Sequence, residues 1–442
     1  MKHYQPQFLW AGLLLVCAVA LFFAGSTPAL AQGEWIVHSF DGTHGDQPMG
    51  SLVADSAGNL YGTTFEGGTN SWGTVYELVR PVPPKTAWTE NILHSFTNGT
   101  DGSEPIAGLI FDSAGNVYGT NIRGTSSRHG VVFELQAPST AGGKWKEIVL
   151  HVFQPETGDG AMPIGELVGD AAGNLYGVTE YGGANQRLAC FNSSQHMGCG
   201  SVFQLSPPTM PRGTWTETIL HSFNYGQGGW PEGGAILDAQ GNLYGTTAGG
   251  GATGAGVVYR LSPPATEGGA WTYKVLHAFR PAIESSEGGR PRGALTLRGR
   301  GILYGTTSEG GTYAGGTIFE LTPPAVPGEA WTENVLYSFA FNGGGTDGSI
   351  PAAAVIFDQT GSMYGTTTAG GTANGGTFFR LTPPTSPGGD WTETVLHSFG
   401  QGNAKDGGLP SGGLIFGKNG VLFGVTQLGG TNGEGAVYGV TK

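Results

Sequence analysis

Apolar residues along this chain come in short bursts of four to nine positions, and glycine, proline or Asp-Gly breaks separate them. Aligned on a recurrent Tyr-Gly step, the bursts fall into four strand-like pieces. The first is an apolar run that ends in Asp, such as Leu109-Ile110-Phe111-Asp112. The second is a Tyr-Gly-Thr-Thr stretch, and a Gly-rich loop follows it. The third alternates, as in Thr317-Ile318-Phe319-Glu320-Leu321, and a Pro-Pro loop such as Pro323-Pro324 stops it. The fourth runs from Trp331 to Phe339 and its counterparts, and a loop closing on proline leads on. The set repeats seven times, every 57–68 residues, centred on Tyr61, Tyr118, Tyr176, Tyr244, Tyr304, Tyr364 and Phe423. A fixed period of this size means one supersecondary unit used many times.

The first two pieces are predicted to form a hairpin. Asp stands six residues before the aromatic at Asp55, Asp112, Asp170, Asp238 and Asp358, and glycine stands three before it in every unit. Asp first and Gly fourth signal a type I turn running into a left-handed glycine. The Asp is therefore read as a turn cap rather than a ligand. Four strands in each of seven units predict an all-β, seven-bladed β-propeller; a β-solenoid is the second choice. The chain also begins its strand pattern with an orphan fourth strand, Trp35–Phe40, and ends on a third strand, Ala436–Val440. Pairing them completes the seventh blade and removes a free sheet edge. Trp35 lies three residues before His38, where the other six Trp lie six before the matching His or Tyr, so its strand is out of register.

Composition agrees with tight-turned β structure: 82 of 442 residues are glycine and only 12% are charged. Residues 1–31 read as a secretory signal, with an apolar run over 8–24, Ala29-Leu30-Ala31 as the cleavage motif and the propeller domain at 32–442. The expected location is secreted, periplasmic or at the bacterial cell surface, without stable membrane insertion once the signal is removed. Cys190 and Cys199 remain after maturation, and an oxidising compartment predicts a disulfide between them. A net charge of -13 and no basic stripe argue against nucleic acid as a partner.

Units such as Gly-Leu-Ile-Phe-Asp-Ser-Ala-Gly-Asn-Val-Tyr-Gly-Thr at 108–120, with Trp-Thr-Glu-x-x-Leu-His-Ser-Phe between them, resemble the Gloeo/Verruco (GloVer) tandem repeat of bacterial exported proteins. The resemblance covers about 35–442. It brings no catalytic residues. Members of that family often carry anchoring tails, whereas here the chain ends at Lys442 with no hydrophobic tail. The Asp-x-x-Gly-Asn-x-Tyr hairpin is also similar to NHL-type propellers, which implies an innermost Asp strand and an outermost Trp strand.

Six histidines share one repeat position (His38, His94, His151, His221, His277 and His397), with Tyr337 in the seventh. They are read as packed imidazoles bonding a neighbouring blade, not as a metal ring. Even spacing predicts that each, His38 aside, shares a strand face with its Trp. The six in-register Trp residues are read as blade packing rather than sugar platforms. Residues repeated in every unit define scaffold, so function is expected where the repeats differ. They differ most in the long loop of the third unit, from Glu180 to Gly200. Glu180, Tyr181, Asn185, Arg187, Phe191 and His196 are its candidate ligand-binding residues, on a loop expected to project from its blade. Glu66, Trp72, Arg123, Arg128, His129, Trp230, Arg290, Glu309 and Tyr313 should lie on the same ring face. No catalytic or metal set is apparent. The Asp-Gly pairs at 101–102, 159–160, 347–348 and 406–407 could donate to calcium, but turn chemistry accounts for them, and no cofactor is expected. The expected role is a monomeric binding or scaffolding module for a polysaccharide or protein. The alternative is a propeller hydrolase or lyase acting on carbohydrate or a lactone, with an acidic, calcium-dependent axial site. Three or more carboxylates converging on the axis would favour the enzyme; a channel lined by backbone and small residues would favour the binder.

Overall fold

The computed structural model describes residues 34–441, apart from 125–128, 141, 186–189, 191–197, 211–212, 267, 282–285, 327, 342–345, 387 and 401–405. The signal segment 1–31 and its cleavage site lie outside the described residues. Seven antiparallel blades form the propeller, and in the first six the strands are ordered as they occur in the chain. Blade 2, for example, consists of Ile110–Phe111, Val117–Asn121, Val131–Gln136 and Lys146–Val152.

The repeated hairpin is built as its sequence demands. Asp112 Oδ1 accepts from the backbone N–H of Ala114 and Asn116, and Oδ2 accepts from the Asn116 amide and the Tyr118 hydroxyl. Asp, Asn and Tyr thus recur together because one carboxylate binds all of them. Gly115 has φ +85°, which suits glycine, and nothing crowds its missing side chain. The glycine after each Tyr has a different reason. A Cβ on Gly305 would lie 2.5 Å from the Phe319 ring, and one on Gly245 2.4 Å from the Tyr259 hydroxyl. The third-strand aromatic lies across this glycine. Gly115→Ala should therefore cost about 1 kcal/mol through backbone strain. Gly305→Ala should cost about 1–3 kcal/mol through overpacking. Urea denaturation checks both, and equal midpoints for the two variants would refute the distinction.

The core is a set of wedges between blades. Tyr118, Val132, Leu150 and Phe153 of blade 2 pack against Leu167, Leu175, Phe203 and Leu205 of blade 3. The repeated Trp belongs to these wedges: Trp215 packs edge-on to Tyr118 at 6.3 Å and Trp271 to Tyr176 at 6.1 Å, each on the preceding blade.

The histidines face the other way, so the predicted shared face with Trp is wrong. The outer strand carries a one-residue bulge, seen in blade 4 between Val275 and His277. One extra residue inverts the alternation. Trp271 therefore meets blade 3, while His277 turns towards Glu287, ahead of blade 5.

Glu34–Ser39 pairs antiparallel with Ala436–Thr441 and completes blade 7, as expected. The register also resolves Trp35. His38 pairs with Val437 as His221 pairs with Val202, and Trp35 then occupies the place of Thr218 and Glu34 that of Glu217. Trp35 is thus not the repeat tryptophan; it covers Gly439.

Candidate functional site

After each repeated proline the chain reaches the ring axis. Met49–Ser51, Ile164–Glu166 and their five counterparts line one axial channel of about 150 Å³. Small residues stand there because the wall segments touch. A Cβ on Gly50 would lie 2.4 Å from the Ala107 carbonyl, and one on Gly233 2.5 Å from that of Gly293. Three charged side chains break this lining, all in blades 3 to 5: Glu166, Glu232 and Arg292. Arg292 Nε lies 3.3 Å from Glu232 Oε2. Burial raises the pKa of Glu232, and Arg292 partly opposes it. Glu166 is also raised by burial, although the Ser51 side chain and backbone N–H hydrogen-bond to it from blade 1. Glu180 is pushed up to about 7 by burial, with Glu232 adding to the shift.

Two residues before each wall segment, the residue ahead of the proline has a left-handed backbone. These are Gln47, Glu104, Met162, Trp230, Arg290, Ile350 and Leu409, with φ between 53° and 60°. Such a conformation costs of order 1 kcal/mol or more for a residue with a side chain, and more for a β-branched one like Ile350. Hydrogen bonds from both sides enforce it. Trp230 N–H donates to the Cys199 carbonyl of blade 3, and its own carbonyl accepts from Ala248 N–H of blade 4. Arg290 does the same between Ala255 and Ser308.

Charges of both signs lie on and beside these left-handed positions. Arg123 pairs with Glu104 at 3.0 Å and Arg290 with Glu309 at 2.9 Å. Burial, a hydrogen bond to Glu434 and the charge of Glu66 raise Asp46 to about 6. Trp72 and Tyr313 are 37% and 63% exposed, so both offer a ring face to solvent. Arg128 lies outside the described residues.

The described residues of the long third-unit loop are less of a surface than the sequence suggests. Tyr181 is buried at 6% exposure, and the Asn185 amide donates to the Ser222 carbonyl at 2.8 Å. Replacing Tyr181 would therefore cost stability, contrary to the expectation for a loop residue. Glu180 is the member of the set that faces the charges near the axis. Arg187, Phe191 and His196 lie outside the described residues. Cys190 and Cys199 are joined, with Cα atoms 5.0 Å apart, and both are fully buried in the wedge between blades 3 and 4. The cross-link is thus part of that seam.

The histidines act as blade-to-blade bonds. His94 Nε2 lies 3.2 Å from Asp101 Oδ2, His151 Nε2 2.9 Å from Asp159 Oδ2, and His397 Nε2 2.9 Å from Asp406 Oδ1. The acids of the Asp-Gly pairs thus serve as seam acceptors as well as turn residues. His221 instead stacks on Tyr273 with ring centroids 4.0 Å apart, and burial lowers its pKa to about 4.

Glu166, Glu232 and Arg292 escaped the sequence reading. Their signal was present: the proline recurs in all seven units, while the residues one before, one after and three after it do not.

No curated protein matches this chain. Among solved structures, the extracellular domain of a protein assigned as a one-component system from B. thetaiotaomicron aligns with a TM-score of 0.52 at 11% identity. That alignment covers 93% of this chain but 42% of the other, so the chain spans less than half of that relative. A luciferin-regenerating enzyme aligns with a TM-score of 0.42 at 12% identity, over 93% of this chain and 95% of that one. A protein assigned as a gluconolactonase gives 0.40 at 13% identity, over 76% and 89%. These likenesses concern the fold. Among the described residues no helix is long and apolar enough to cross a membrane. The model of the Gloeobacter/Verrucomicrobia repeat matches residues 27–196 and 188–438, and the chain belongs to that family.

Proposed function

We propose that this is an exported binding module whose ligand, an extracellular polysaccharide or a protein surface, lies across the mouth of the axial channel. One observation carries the reading. At seven equivalent left-handed positions this glycine-rich chain places seven different side chains and never glycine. Glycine would relieve the strain at each. Keeping Gln, Glu, Met, Trp, Arg, Ile and Leu there at an energetic cost supports a selected surface on a fixed backbone. The exposed rings of Trp72 and Tyr313 suit stacking on sugar or apolar contact. The axis supports binding over hydrolysis of carbohydrate or lactone, because Glu166 and Glu232 are the two carboxylates in its wall and the rest is small or apolar side chain, backbone and Arg292.

A glycan array and a cell-envelope protein pull-down, with and without calcium, test the reading. Trp230→Gly and Arg290→Gly should each weaken the captured ligand by about tenfold or more and leave the melting temperature within a few degrees. Binding untouched by both, together with turnover of a lactone or glycan that Glu166→Gln abolishes, would replace it with the enzyme reading.

A further inference from the structure

The seams between blades contain a second kind of site. In several seams the outer-strand histidine slot of one blade meets an acid from the following loop and the outer-strand residue of the next blade that stands in the Glu217 position, as His94 meets Asp101 and Glu147. Among the described residues two seams bring one imidazole nitrogen and two carboxylates within 4.8 Å of one another: His151, Asp159 and Glu217 between blades 2 and 3, and His397, Asp406 and Glu34 between blades 6 and 7. Glu34 has a side chain only 6% exposed, and its Oε2 stands 3.9 Å from His397 Nε2. Its Oε1 is buried without a hydrogen-bond partner, and so is Glu217 Oε1. The two aspartates are held in place from behind. Asp159 accepts from the backbone N–H of Gln154 and Gly160, and Asp406 from those of Gly400 and Gly407. Even a protonated histidine would offset only one of the two negative charges. A divalent cation balances both and gives the unpartnered oxygens a bond.

We propose that these two seams each bind a zinc ion through one histidine nitrogen, two carboxylates and a water. One nitrogen with few oxygens suits zinc, whereas calcium wants six to eight oxygens and magnesium an octahedral oxygen shell. Ligand arms of about 2.0–2.2 Å require neighbouring donors to stand about 3.3–3.5 Å apart. The present 2.9 Å and 3.9 Å gaps around His397 bracket that value. The seams between blades 3 and 4 and between blades 5 and 6 carry substitutions that remove a donor, whereas His94 with Asp101 and Glu147, and His277 with Glu287 and Glu333, keep all three residue types without bringing their donor atoms within 4.8 Å of one another. Tyr273 takes the glutamate place beside His221, and Tyr337 takes the histidine place beside Asp347. The ion between blades 6 and 7 has a structural consequence. Glu34 lies on the strand that closes the ring, so the metal ties the chain's first strand to the sixth blade. A terminal strand is where fraying starts.

The test uses the mature protein after treatment with a chelator and zinc alone as the probe, followed by calorimetry and thermal melting. Two equivalents of zinc should bind, and the melting temperature should rise with zinc concentration. His151→Gln and His397→Gln should each lose one equivalent. Glu34→Gln, which keeps the side-chain volume, should weaken one site by about tenfold or more and provides the check if either histidine variant folds poorly. Absence of stoichiometric zinc binding, unchanged stoichiometry in all three variants, or equal preference for calcium would overturn the assignment.

Discussion

Deleting residues 32–40 is expected to produce a protein that aggregates and melts far below the intact chain. Glu34–Ser39 supplies the outer strand of blade 7, paired with Ala436–Thr441. Its loss leaves a long β edge open to other chains. The deleted segment also carries Phe40, which follows the strand, is fully buried and packs edge-on to Tyr76 of blade 1 at 5.0 Å. Phe40 N–H donates to the Gly435 carbonyl, and Asn432 donates to the Phe40 carbonyl. His38 reaches Glu90 of blade 1 at 3.3 Å. Phe40→Ala alone should cost about 3–5 kcal/mol, and the deletion more. A synthetic peptide of residues 32–41 should partly restore solubility by adding the missing strand in trans. Size-exclusion chromatography and thermal melting read the result. A deleted protein that stays monomeric with unaltered melting would show that this strand does not close the ring.

Stability is expected to fall as pH rises from about 5 to 8. Burial raises Glu180, Glu333 and Glu393 from 4.5 to about 7. Neighbouring carboxylates assist: Glu232 beside Glu180, Glu287 beside Glu333 and Asp347 beside Glu393. A raised folded-state pKa means that the folded protein holds protons the unfolded chain has released. The resulting stabilisation is fully present below the unfolded value of 4.5 and is lost as pH passes through about 7. Discounted for the solvent that still reaches Glu333 and Glu393, the three groups should be worth on the order of 3 kcal/mol across this interval. Glu34 and Glu217 are raised by burial as well and add to the trend in chelator-treated protein. His221 opposes it, since its folded pKa of about 4 favours the fold above its unfolded 6.5. Below about pH 4 the trend reverses, because Asp112, Asp170 and Asp238 are held low by hydrogen bonds that outweigh their burial. Melting in chelator should therefore peak near pH 5. The double variant Glu333→Gln, Glu393→Gln should flatten the alkaline side of the profile. A melting temperature that is level or rising from pH 5 to pH 8 would refute this account.

The sequence by itself determined the repeated hairpin, the four-strand unit and its number. Asp112, Gly115 and Tyr118 specify their hairpin locally, because one carboxylate and one left-handed glycine act within seven residues of chain. Seven recurrences of that hairpin, with an orphan strand at one end, were enough to predict the blades and their closure. Three features depended on contacts between units and needed the tertiary structure. The bulge before His277 inverted the face expected from Trp271, because a bulge is set by how strands pair and has no composition of its own. The long third loop read as a surface from its polar and aromatic residues, yet Tyr181 is buried and both cysteines lie buried where blade 4 meets blade 3. The axial set spans 126 residues of sequence from Glu166 to Arg292 and becomes one site only because the ring brings the start of every blade to the same axis.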